Sequence, residues 1–147
     1  LRSAAVTGMA LLLHNLPEGM VIGASYAADL AEAGEDGRMM ALVIGLHNIP
    51  EGMAVAVPLA AGGASRGRAV LTTAVAGAPT VLGAVLGFCL GTMGPGLQML
   101  TLGGASGAML YVVFGELLPE SFRLCRSPAP VMAAVLGVLT GMGVVLG

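Results

Sequence analysis

Two six-residue stretches carry most of the chemistry in this sequence: HNLPEG at 14–19 and HNIPEG at 47–52. The first holds His14, Asn15 and Glu18; the second holds His47, Asn48 and Glu51. A spacing of four puts each His and Glu on one face of a helix, about one turn apart, while each Asn is turned about 100° round the axis. Imidazole nitrogen beside carboxylate oxygen suits Zn²⁺, Fe²⁺ or Mn²⁺ better than hard Ca²⁺ or soft Cu⁺. The Asn amides can add oxygen ligands or orient the histidines. An intramembrane metalloprotease is the rival reading, but it needs a second His at HExxH spacing, which neither motif has. No enzyme is expected.

These polar groups sit in a setting where charge is expensive. Of the 147 residues 56% are hydrophobic and 10% charged, with a mean hydropathy of +0.93. A soluble domain would need more charge to cover its surface. Nothing resembles a basic nucleic-acid surface, so no nucleic-acid partner is expected. Loops rich in Gly, Pro and charge leave five apolar segments, about 3–28, 38–61, 69–92, 97–122 and 129–147. They predict an all-α membrane protein, a bundle of five transmembrane helices forming one domain over 1–147. The fifth segment is marginal in length. The chain opens LRSAAV, with no initiator Met and no signal segment, as a piece of a longer protein would.

Arginines set the orientation. Arg2, Arg66, Arg68, Arg123 and Arg126 fall on one side of this topology and Arg38 alone on the other. The positive-inside rule then expects the N-terminus in the cytoplasm and the C-terminus outside. The first loop, with Asp29, Glu32, Glu35 and Asp36, becomes an acidic outer mouth that either gathers cations or is merely solvated.

Depth follows from the helical rise. From the outer end of the first span, Glu18 lies about 15 Å down and His14 about 21 Å. In the antiparallel second span, His47 lies about 14 Å down and Glu51 about 20 Å. Glu18 thus falls level with His47, and His14 with Glu51. A carboxylate at mid-membrane costs about 2.5 kcal/mol or more, which a bound cation offsets. A lone intramembrane His is usually a packing residue; two His and two Glu at matched depth are not explained that way. Pro17 and Pro50 lack the N–H that would bond Leu13 and Leu46, so the first two helices are expected to be kinked or locally unwound within the site.

Other features are weaker. Glu116 and Glu120, in ELLPES, either line an exit route for the ion or mark a membrane boundary where Glu120 pairs with Arg123. Gly83, Gly87 and Gly91, Gly103 and Gly107, and Gly137 and Gly141 have helix-packing spacing within the chain, the alternative being contact between copies in a homodimer. Cys89 and Cys125 fall near opposite faces, out of disulfide reach.

On consecutive helices, HNLPEG and HNIPEG closely resemble the fourth and fifth transmembrane helices of the ZIP family of divalent-metal transporters, and GAMLYVVFGELLPES resembles the seventh. The resemblance covers the chain as helices four to eight of an eight-helix protein. It implies metal uptake into the cytoplasm, zinc first and iron or manganese as alternatives, across a membrane taken to be a bacterial inner or plasma membrane. The transported ion is substrate, and no prosthetic group is implied. The implied partners are the ion, the bilayer and the family's first three helices. His14, Asn15 and Glu18, with His47, Asn48 and Glu51, match the family's ligands. A sixth-helix Glu before a Pro completes a second metal position in many members; here Ala78 precedes Pro79, which favours one ion over two.

Overall fold

The computed structural model describes the backbone of residues 2–146, and the side chains of 1–13, 116, 144 and 145 lie outside the described residues. Helices α1 (Arg2–Glu32), α2 (Asp36–Ala61) and α3 (Arg66–Thr92) are followed by α4 (Pro95–Val112), a π turn (Val113–Leu117), α5 (Leu118–Leu124) and α6 (Ala129–Leu146). No strand occurs among the described residues. The helical segments coincide with the five expected ones to within about four residues, inside the usual uncertainty of helix ends.

Among the described residues, three stretches are long and apolar enough to cross a membrane: Asp36–Ala61, Arg66–Thr92 and Pro95–Leu124. The apolar part of α6, Ala129–Gly143, is shorter. On α2 the residues Leu42, Leu46, Ile49, Met53 and Val57 recur at helical spacing and are each more than half exposed. A large apolar stripe turned outward is a surface for lipid or for neighbouring membrane helices. This is an integral membrane protein.

Contacts divide the chain into two units, Leu1–Met109 and Leu110–Gly147. In the first, α1 is central and lies against both α3 and α2. Its contact with α3 is backbone on backbone. A Cβ on Gly19 would run into the Thr80 carbonyl, one on Gly23 into that of Ala84, one on Gly83 into that of Leu16, and one on Gly87 into that of Met20. At Gly91 it would lie 2.6 Å from the Ala27 Cβ. In lipid no hydrophobic effect drives helices together, so close approach through small residues supplies the dispersion that does. The expected packing role holds for the glycines of α3. Gly103, Gly107, Gly137 and Gly141 differ: a Cβ there meets nothing within 4 Å, so these faces have no partner among the described residues.

Turn chemistry fixes how α1 meets α2. The carboxylate of Asp29 accepts from Asp36 N and Gly37 N, both at 2.9 Å. It thereby satisfies two of the donors that a helix start leaves open. Ala33 closes α1 in the left-handed region at φ 53°, where a residue without glycine's freedom is strained. At α3, the Ser65 hydroxyl accepts from Arg68 N at 3.4 Å.

Helical structure runs unbroken through Pro17 and Pro50, so of the two expected outcomes, a kink or local unwinding, the second does not occur. Each proline removes one donor and leaves the turn intact. The second unit shows a larger perturbation, because Pro119 cannot donate to Gly115 and the preceding turn slips into π register, with Leu118 N bonding Val113 O. Cys89 and Cys125 are free and exposed.

Candidate metal centre

The site is built on α1 and α2, with α3 behind it. His14 and Glu18 project from one face of α1, and His14 Nε2 lies 3.2 Å from Glu18 Oε1. From α2, His47 Nε2 reaches the same oxygen at 3.4 Å. The two imidazole rings stand 5.9 Å apart at 52°. Glu18 is wholly buried (0% exposed), the largest side chain among the described residues of which that is true. A carboxylate is almost never fully buried without partners.

The spacing suits a transition metal. Donors around a tetrahedral ion at zinc-ligand distances sit about 3.3 Å apart. Both His–Glu18 distances fall there, and His14, Glu18 and His47 offer ligand atoms within 4.8 Å of one another. The levels computed from helical rise put Glu18 beside His47, and the structure brings those two together.

Glu51 enters indirectly. With its nitrogen turned toward the acids, the Asn48 amide donates to Glu18 Oε2 at 3.0 Å and to Glu51 Oε2 at 3.2 Å. Asn48 therefore ties the two carboxylates together across the helix pair. Glu51 Oε1 is buried with no hydrogen-bond partner among the described residues. His14 Nδ1 is likewise buried and unpartnered.

Asn15 faces away from the histidines. Its amide nitrogen donates to the Ala76 carbonyl on α3 at 2.9 Å, while its Oδ1 stays buried and unpartnered. Beside it lies a cavity of about 100 Å³, lined by Asn15, Asn48, Glu51, Thr73, Ala76 and Gly77 among others. The α3 contribution, with Thr73, was not foreseen from sequence. Ala78, where a carboxylate was looked for, is exposed and does not line this cavity.

The remaining acids fall elsewhere. Glu120 is exposed in the second unit and pairs with Arg123 at 3.3 Å. The Glu116 side chain lies outside the described residues. In the acidic loop, Asp29 is spent on capping α2 and Glu35 pairs with Arg38 at 3.2 Å. Glu32 and Asp36 are exposed.

Comparison with known proteins gives the family of the chain. The family model described as ZIP zinc transporter matches residues 2–147. The zinc transporter GufA of Myxococcus xanthus is 42% identical over 82% of this chain and 46% of its own length. The zinc transporter ZIPB of Bordetella bronchiseptica is 36% identical over 94% of this chain and 42% of its own length. The human zinc transporter ZIP11 is 32% identical over 99% of this chain and 44% of its own length. The chain thus spans somewhat under half the length of these relatives. No solved structure gives a significant match. A family match along almost every residue, together with two motifs whose histidines converge on one buried carboxylate, means that the chain belongs to the ZIP zinc transporter family.

Proposed function

We propose that this chain, as the C-terminal part of a longer eight-helix protein, carries zinc across a membrane into the cytoplasm through a site made by His14, Glu18, His47 and Glu51. The observation that carries the reading is the wholly buried Glu18 carboxylate with two imidazole nitrogens on one oxygen. Such a group is costly in a membrane unless a cation takes its charge. Two carboxylates balance one divalent ion, while His and Glu together supply borderline donors. The relatives' names support zinc as first choice. Fe²⁺ and Mn²⁺ fit the same donors, so competition uptake decides among the three.

Inward transport rests on the family resemblance, and the arginine distribution orients the α2–α3 loop toward the cytoplasm. The ion sheds water as it reaches the histidines, and a rearrangement then opens the site inward. Asn15 and Asn48 hold the ligand-bearing helices in register, and Glu120 sits at the inner boundary.

Zinc-65 uptake and equilibrium zinc binding by the full-length protein test the reading. Glu18→Ala is expected to abolish both, and undiminished uptake would sink it.

A further inference from the structure

The contact of Asn15 with Ala76 is followed, one turn along both helices, by that of Gly19 with the Thr80 carbonyl. The side chain of Thr80 is unusual. Its hydroxyl oxygen is buried and has no hydrogen-bond partner among the described residues. Three other helical threonines, Thr73, Thr101 and Thr140, donate to the carbonyl four residues back at 2.9, 2.8 and 2.8 Å. The matching acceptor for Thr80 is Ala76 O.

That oxygen is already taken. A carbonyl has two lone pairs, and in α3 one of them belongs to the helical N–H of Thr80. The Asn15 amide occupies the other at 2.9 Å. A buried donor without an acceptor is costly, so the Thr80 hydroxyl and the Asn15 amide compete for one position. Pro79 eases an exchange between them, because its missing N–H leaves this turn of α3 with one helical bond fewer.

A released Asn15 amide has an acceptor at hand. It lies beside the Glu51 carboxylate, and both residues line the same cavity. Glu51 Oε1 is itself buried and unpartnered among the described residues, whereas Glu51 Oε2 accepts from Asn48. One exchange therefore satisfies two groups, the Thr80 hydroxyl on Ala76 O and Glu51 Oε1 on the Asn15 amide.

From these observations, and resting on the transport reading above, we propose that Thr80 is a positioning residue for Glu51: its hydroxyl and the Asn15 amide exchange on the Ala76 carbonyl, and the released amide donates to Glu51 Oε1. With Asn48 on Oε2, each oxygen of that carboxylate is then oriented by an amide, one from α1 and one from α2. Through a single hydroxyl, α3 governs a ligand that it does not touch.

The test is equilibrium zinc binding and zinc-65 uptake by the full-length protein with Thr80→Val, Thr80→Ser, Asn15→Leu, and Thr80→Val combined with Asn15→Leu. Thr72→Val, on the exposed side of α3, is the control and is expected to match the parent. Thr80→Val keeps the shape and leaves the Asn15 amide on Ala76, so zinc affinity is expected to fall about tenfold, as for other residues that hold ligands in place. Its zinc-free melt is expected at or above that of the parent, because an unpartnered hydroxyl has been removed. Thr80→Ser keeps the donor and is expected to bind zinc like the parent. In the combined variant the loss is expected to equal that of Asn15→Leu alone, since Thr80 acts only through Asn15. Unchanged affinity in Thr80→Val overturns the proposal, as do losses that add in the combined variant or a Thr80→Ser that binds as weakly as Thr80→Val. A fall in affinity that comes with a lower zinc-free melt reads as lost packing and overturns it too. A parent protein that binds no zinc and takes up none overturns the transport reading itself.

Discussion

The side-chain amide of Asn15 donates to the backbone carbonyl of Ala76 at 2.9 Å, across 61 residues of sequence. This bond ties the helix that presents His14 and Glu18 to α3, which offers no ligand of its own to the histidines. Asn15→Leu removes the donor and places apolar atoms beside the cavity. Its expected effect is a loss of about 1 kcal/mol in stability. Zinc affinity is expected to fall about 10-fold or more, as for other residues that hold ligands in place. Calorimetric zinc titration beside a thermal melt in detergent checks both.

Glu18→Gln separates binding from folding. The amide keeps the shape and removes the buried charge, so the metal-free protein is expected to gain about 1 kcal/mol or more. Zinc at about 100 times its dissociation constant stabilises the parent by about 2.7 kcal/mol. The variant is expected to show no such shift in a melt run with and without zinc.

Gly83→Ala tests the contact between α1 and α3. The added methyl strikes the Leu16 carbonyl, and overpacking of this kind costs about 1–3 kcal/mol. Gly103→Ala, where the methyl meets nothing, is expected to be neutral or to gain up to about 1 kcal/mol from helix propensity. Paired denaturation curves compare the two.

Asp29→Ala removes the acceptor for Asp36 N and Gly37 N. The expected cost is about 1–2 kcal/mol, with the first turn of α2 losing protection in hydrogen exchange and later turns keeping it. Asp29→Asn keeps one acceptor and is expected to lie between.

The features legible in the sequence are those that periodicity and depth control. His14 and Glu18 share a face because they are four apart, and Glu18 meets His47 because both lie at similar depth on antiparallel helices. Other features carry little signal. Gly23 looks like an ordinary glycine until the carbonyl of Ala84 is found against it. Thr73 is one hydroxyl in a long apolar helix. In the acidic loop, the capping role of Asp29 toward Asp36 N and Gly37 N is not announced by its charge. Pro17 and Pro50 suggest unwound turns, but the surrounding helix tolerates a single missing donor. The Asn48 amide stands between the Glu18 and Glu51 carboxylates, a link the four-residue spacing does not announce.

The row of glycine contacts along α1 and α3 also has a mechanical meaning. Where main chain rests on main chain, there are no side-chain rotamers to switch and no slack to take up. The two helices therefore travel as one stiff beam, which carries His14 and Glu18 as fixed fittings.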